Sequence, residues 1–271
     1  MRLARPIARP LVIAAFACLS LIGIAAPATA DPSVAAGKYV ALGDSYASGT
    51  GAGDYGDSGG CKRSANAYAQ LWANSHAPAA FSFVACSGAV TSDVLANQVG
   101  AITPDTELVT ISIGGNDAGF ADVMTDCNLG SDSTCVSRNQ EAQNFARTEL
   151  PGRLDGVYTE IRNRAPSARV VVLGYPHIYT LNGDCAVGLS ETKRAAINQS
   201  ADVLAEVVSG RAGAFGYDFV DARSAFAGHE ICAPGDDWWL HSITWPIDES
   251  YHPTAAGHSG GYYAALVGVT G

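Results

Sequence analysis

Charged residues are scarce in this chain: they make up 15% of its 271 residues, against about 25% in an ordinary soluble domain. Lys and Arg number only 16 against 26 Asp and Glu, for a net charge of -10. Phosphate neutralisation needs clustered basic side chains, so no nucleic-acid partner is expected. Scarce charge does not mean disorder, because 48% of the residues are hydrophobic and can fill a core. Neither Cys-x-x-Cys nor His-Glu-x-x-His occurs, so zinc-binding and thioredoxin-type redox chemistry lack their ligand spacing and no metal is expected. Heptads are absent and the 30 glycines have no fixed period, which excludes coiled-coil and collagen-like chains. There is no Pro- or Ser-rich linker and no internal repeat, so one domain accounts for the length.

What is present begins with an address. Arg2, Arg5 and Arg9 precede an apolar run over residues 11–25, and Ala28-Thr29-Ala30 offers small residues at a cleavage position, the pattern of a secretory signal peptide. The run is too short to span about 30 Å of hydrocarbon and no second one follows, so stable membrane insertion is not expected. Cleavage after Ala30 removes three of the 16 basic residues and no acid, leaving residues 31–271 with a net charge near -13. Six cysteines remain: Cys61, Cys86, Cys127, Cys135, Cys185 and Cys232. An even count in an exported, extracellular chain reads as three disulfides, with 15 possible connectivities that sequence alone does not separate.

Short β-branched runs at 38–42, 81–85, 108–112, 169–173 and 217–220 predict strands. Helices are expected near 64–75, 91–98, 138–164 and 190–210, with a last one after Pro253. Thr91 and Asp93 supply capping chemistry for the second, and Pro151 should kink or divide the third. This alternation predicts an α/β fold with a parallel sheet covered by helices on both faces. The stretches 126–137 and 221–251 read as the longest structureless regions, each pinned by cysteine.

Ligands of an open parallel sheet bind beyond the carboxyl ends of its strands, so the segments after the strands carry the chemistry. The first is Gly43-Asp44-Ser45-Tyr46, a strand-to-helix turn that can expose a serine hydroxyl and aim its N–H at developing negative charge. The second is Cys86-Ser87-Gly88-Ala89, whose glycine can bring a backbone N–H close to substrate. The third is Gly114-Gly115-Asn116-Asp117, which can present an amide donor. Near the C-terminus, Glu249-Ser250-Tyr251-His252-Pro253 holds an imidazole just ahead of a helix. Each fragment alone is an ordinary turn; their joint order is not.

On these blocks the chain resembles the SGNH or GDSL hydrolase superfamily, with Ser45, Gly88, Asn116 and His252 at the four named positions. The likeness covers all of 31–271, read as an SGNH hydrolase domain, and is strongest to secreted actinobacterial, streptomycete-type lipases and esterases. It implies a flavodoxin-like three-layer α/β/α sandwich, the pairing Cys61–Cys86, Cys127–Cys135 and Cys185–Cys232, and a monomer without cofactor. Tyr46 stands where the family motif usually has Leu, a departure read as lying outside the chemistry. Many relatives carry Asp three residues before the His; here Glu249 stands there with Asp248 beside it, so either carboxylate could orient His252. A backbone carbonyl just before the His could do so instead, giving a Ser–His dyad, and that is the reading preferred here. Asp44 and Asp117 are expected to shape their turns, and His76, His177, His229, His241 and His258 match no block.

The implied reaction is ester hydrolysis through a Ser45 acyl-enzyme, with His252 as base and an oxyanion hole of Ser45, Gly88 and Asn116. Trp238, Trp239, Leu240, Ile243, Trp245 and Ile247 crowd the segment before His252. They either fold into the core or form an apolar wall for an acyl chain. The second use favours lipidic or small esters, with triacylglycerol lipase activity foremost. Phospholipase A-type activity and carbohydrate acetylesterase activity are alternatives on the same residues. A secreted binding module with a dead site is the non-enzymatic alternative.

Overall fold

A computed structural model describes Met1 and residues 37–271. Apart from Met1, the export signal read at 1–30 lies outside the described residues. Each of the five β-branched runs overlaps a strand: β1 (Lys38–Gly43), β2 (Ala80–Phe83), β3 (Thr106–Ser112), β4 (Arg169–Leu173) and β5 (Asp218–Val220). They pair in parallel in the order β2-β1-β3-β4-β5. The helices are α1 (Ser45–Ser48), α2 (Tyr68–His76), α3 (Thr91–Asp93), α4 (Phe120–Leu129), α5 (Asp132–Thr148), α6 (Leu150–Arg164), α7 (Glu191–Ala214), α8 (Ala222–Ala225) and α9 (Ala264–Thr270). Two π-helical stretches, Val94–Gln98 and Gly257–Tyr263, extend α3 and lead into α9.

Successive strand residues point to opposite faces, and the two cores divide accordingly. Tyr39 and Ala41 of β1 join Tyr68 and Trp72 of α2, Ala222 of α8 and Leu266 of α9 on one face. Val40 and Leu42 join Leu150, Leu154, Val157 and Ile161 of α6, with Val203 and Val208 of α7, on the other. The α6 residues recur every three or four positions, so one stripe of that helix is apolar. Burying each such side chain stabilises the fold by about 1.5–3 kcal/mol. The result is the three-layer α/β/α sandwich.

The 138–164 segment divides at Glu149, and Pro151 sits in the first turn of α6, where its missing N–H breaks no bond. The structureless reading of 126–137 is wrong: that stretch holds the end of α4 and the start of α5. Phe120, Val123, Met124 and Cys127 lie at i, i+3, i+4 and i+7 and pack inward, a helical pattern hidden by the polar residues around it. Ser131 caps α5 by accepting from Thr134 N, and the buried Lys193 ammonium donates to the carbonyls of Cys127 (2.8 Å) and Gly130 (2.7 Å) where α4 ends. At α3 the cap differs from expectation too. Val90 holds the N-cap position and its N–H donates to Asp93 Oδ2, while Thr91 turns to another partner described below. Residues 221–251 are largely irregular, with α8 and two single 3-10 turns.

Disulfides join Cys61 to Cys86, Cys127 to Cys135 and Cys185 to Cys232. The first ties the segment after α1 to the turn after β2, the second spans the α4–α5 break, and the third pins the long irregular region. Among the described residues, no helix is long and apolar enough to cross a membrane.

Candidate active site

The sheet order reverses around β1, whose chain continues to β2 on one side and later returns to β3 on the other. That switch point leaves a crevice beyond the carboxyl ends of β1 and β3. Gly43 ends β1 at φ +124, and a Cβ there would meet the Ser112 carbonyl of β3 at 2.3 Å. Asp44 N donates to that same carbonyl at 2.9 Å. The buried Gln98 amide clamps Gly43 from both sides, accepting from its N–H at 2.7 Å and donating to its C=O at 2.9 Å. Asp44 then caps α1, its Oδ1 accepting from Tyr46 N at 3.0 Å while its Oδ2 accepts from the Tyr175 hydroxyl. Burial pushes the Asp44 carboxyl up to about 7, against the lowering effect of those two donors. Ser45 is the first residue of α1, so its N–H has no preceding helical carbonyl to bond.

His252 reaches this serine from a loop closed at its neck by His241 and Tyr251. His241 N donates to the His252 carbonyl and Tyr251 N to the His241 carbonyl, each at 2.9 Å. His252 Nε2 lies 2.8 Å from Ser45 Oγ, and Nδ1 lies 3.0 Å from the Ser250 carbonyl. A carbonyl only accepts, so the proton sits on Nδ1 and the Nε2 lone pair faces the serine. Burial drives the imidazole pKa down to about 4, with the Ser250 carbonyl pulling the other way.

Neither carboxylate named as a third member touches this ring. Glu249 Oε1 accepts from Tyr55 OH at 2.8 Å and Lys62 Nζ at 3.2 Å. Asp248 pairs with Lys62 at 2.7 Å with its side chain 58% exposed. Lys62 pairs with both acids, and the group that faces His252 Nδ1 is the Ser250 carbonyl.

The other two blocks face the same crevice. Cys86 N donates to Gly43 O and Ser87 N to Cys61 O, each at 3.0 Å, which hangs the Gly88 turn beside β1. Gly88 itself is exposed at φ +81. Asn116 Nδ2 donates one hydrogen to Ala89 O at 3.0 Å, bridging the second and third blocks and leaving the other available. Asp117 accepts from Thr91 N at 2.9 Å and Thr91 Oγ1 at 2.6 Å, locking the Asn116 turn to α3. Both motif aspartates therefore shape turns.

The GDSL-like Lipase/Acylhydrolase family model matches residues 41–259. The chain belongs to that family. It is a carboxylic ester hydrolase. It is 55% identical over 260 residues to Lipase 1 of Streptomyces coelicolor, covering 95% of each chain. It is 51% identical to a Streptomyces rimosus lipase over the full length of both. Its fold matches the crystal structure of phospholipase A1 from Streptomyces albidoflavus NA297 with a TM-score of 0.84 and 58% identity, covering 86% of this chain and 99% of that one.

An apolar cavity opens from Ser45 of this hydrolase into the space between α4, α5 and α7. Phe120, Val123, Ala142, Ile178 and Leu204 line it. Its polar members Asn139, Gln143 and Ser200 bond one another, Gln143 to Ser200 at 3.1 Å and Ser200 to Asn139 at 2.7 Å. The tryptophan-rich segment contributes nothing to it, contrary to one of the two sequence readings. Trp238 and Trp239 are half-buried and Leu240 is fully buried, with the Trp239 ring stacked on His229. Ile243, Trp245 and Ile247 instead point to solvent at 60%, 86% and 60% exposure.

The unassigned histidines hold structural contacts. His76 stacks on Trp72, His177 pairs with Asp202, and His241 Nε2 lies 2.8 Å from the Gly51 carbonyl. His258 is fully buried, takes the Tyr68 N–H on Nδ1, and is kept neutral by burial that lowers its pKa to about 3. Sequence reading missed Tyr175, whose hydroxyl accepts from Gly115 N at 3.0 Å while donating to Asp44. It missed Gln98 as well. Neither has a local motif; each acts across a large separation in sequence.

Proposed function

We propose that this hydrolase is an exported serine esterase acting on lipidic esters, with triacylglycerols the foremost substrate class. The observation that carries the reading is the 2.8 Å contact between His252 Nε2 and Ser45 Oγ at the mouth of an apolar cavity. In this reading His252 takes the Ser45 proton as the serine oxygen attacks the ester carbonyl. The N–H groups of Ser45 and Gly88 and the free hydrogen of Asn116 Nδ2 receive the oxyanion. His252 then returns the proton to the leaving alcohol, and water repeats the sequence to release the acid. Nδ1 keeps its proton and donates to the Ser250 carbonyl throughout, so the pair works as a dyad.

The cavity supports an acyl chain because its lining offers apolar surface over most of its length. The exposed Ile243, Trp245 and Ile247 beside the His252 loop suit contact with a water–lipid boundary. The basic start and apolar run at 1–25, with three disulfides, support export. Phospholipase A1 activity is the second reading, favoured by the 58% identity to an enzyme of that description. A chain-length series of p-nitrophenyl esters, alongside a triacylglycerol emulsion, phosphatidylcholine and acetylated xylan, tests the substrate. Hydrolysis of acetylated xylan in preference to all lipidic esters would overturn the lipidic reading. Ser45→Ala should abolish both turnover and labelling by a fluorophosphonate; a variant as active as wild type would overturn the mechanism.

A further inference from the structure

We propose that Tyr46 is the positioning residue for His252, standing in for the carboxylate that the dyad lacks. This rests on the Ser45–His252 reading above. Imidazole catalysis needs two things from a third group: a fixed ring orientation and support for the positive charge that forms when the serine proton arrives. The Ser250 carbonyl meets the first need only if the backbone around it is held still. Tyr251 follows at φ +66, a conformation unfavourable for a non-glycine residue, so this segment needs an outside tether.

Tyr46 supplies that tether from the residue next to the nucleophile. Its hydroxyl donates to the Tyr251 carbonyl at 2.6 Å, in a buried bond spanning 205 residues of sequence. The nucleophile turn and the base loop are thereby joined directly, without passing through the sheet. The Tyr46 ring also lies 5.2 Å from the His252 ring, tilted at 42°. That is inside the distance at which an aromatic face attracts a cation, so the ring favours the imidazolium formed during acylation. The ring cannot swing away, because Tyr175 packs edge-on against it at 5.1 Å and Phe120 at 6.4 Å. The Asp44 cap fixes its backbone through the bond to Tyr46 N. A leucine here would fill space but could neither donate to Tyr251 nor present a π face.

Two substitutions separate the roles. Tyr46→Phe keeps the ring and loses the tether, while Tyr46→Leu loses both. On p-nitrophenyl acetate, which does not reach into the acyl cavity, Tyr46→Phe should lower kcat about 3- to 10-fold, the worth of one hydrogen bond. Tyr46→Leu should lower it by about a further 10-fold, the worth of a desolvated cation–π contact. KM should stay within about twofold in both, since neither loss touches ground-state binding. Circular dichroism and thermal melts identify folded protein, and Tyr46→Phe serves as the conservative rescue of Tyr46→Leu. A folded Tyr46→Phe with wild-type kcat would overturn the tether, and equal kcat in the two folded variants would overturn the role of the ring. A rise in KM with kcat intact would overturn both. Wild-type fluorophosphonate labelling lost in Ser45→Ala is the companion measurement. Its failure condemns the Ser45 mechanism itself, whereas its success with unchanged Tyr46 variants condemns only this proposal.

Discussion

The depressed basicity of His252 makes a quantitative claim about acid tolerance. An exposed histidine titrates near 6.5, but burial of the His252 ring carries it to about 4. The surrounding charges act weakly and in opposition, Asp248 raising the value and Lys62 and His241 lowering it. At pH 5 an imidazole with a pKa of about 4 is about 90% neutral, whereas one at about 6.5 is about 3% neutral, so about 30-fold more base is available. The kcat/KM profile reports groups of the free enzyme, and its acid limb should therefore fall near pH 4. The assay is hydrolysis of a soluble p-nitrophenyl ester from pH 3 to 7 at constant ionic strength, quenched into alkali for reading. Unfolding must be separated from titration. His252 and His258 have folded pKa values of about 4 and 3, below the unfolded value. The unfolded chain therefore takes up protons first as pH falls below about 6.5, and stability drops until pH passes those folded values. Asp44, held up near 7, works in the opposite sense, favouring the folded state as pH falls from 7 toward 3.8. Return to pH 7 with full recovery of rate isolates titration from unfolding. An acid limb at pH 6 to 7 in recoverable enzyme would refute the burial argument and point to a charge partner for His252.

Further consequences follow from the same geometry. Glu249→Gln and Asp248→Asn should each keep kcat within about threefold of wild type, because Lys62 and Tyr55 engage these acids and His252 does not; a loss near 10⁴-fold in either would restore a carboxylate triad. Asn116→Ala should lower kcat about 10²- to 10³-fold while fluorophosphonate labelling persists, the signature of a lost oxyanion donor; an unchanged kcat would remove Asn116 from the hole. Gln98→Ala should destabilise the fold by about 1–3 kcal/mol, since it strands the buried Gly43 N–H while the Gly43 C=O keeps its bond from Cys86 N; a denaturant midpoint equal to wild type would show that the clamp is dispensable.

What sequence makes visible here is set by how far each interaction reaches along the chain. The strands announce themselves by β-branched runs, and the four blocks by turn residues at strand ends, because these are local requirements of backbone conformation. Gly43 ends its strand at φ +124, a local demand of the strand-to-helix turn that glycine meets. Tyr46 carries no such sign: its partner carbonyl is 205 residues away, and its identity alone reads as a harmless exchange for leucine. Gln98 and Tyr175 are similarly silent, reaching Gly43 over 55 residues and Asp44 over 131. Glu249 errs in the opposite direction. Its spacing from His252 suggests a triad, but Lys62, 187 residues away, decides where the carboxylate points.

The same distinction separates chemistry from selectivity in this hydrolase. Ser45, Gly88 and Asn116 lie on loops leaving adjacent parallel strands, so the sheet brings them together whatever the helices do. The apolar cavity has no such guarantee. Its walls come largely from α4 and α5, between β3 and β4, and from α7, between β4 and β5, and the Cys127–Cys135 bridge fixes how α4 meets α5. Substitutions such as a larger side chain at Ala142 change the room available to a chain without moving Ser45 or His252, because no hydrogen bond of the dyad passes through α5. Substrate range can therefore change while the four blocks stay the same. For that reason the blocks identify an ester hydrolase, whereas the choice between acylglycerol and phospholipid has to be read from the helices between the strands and measured.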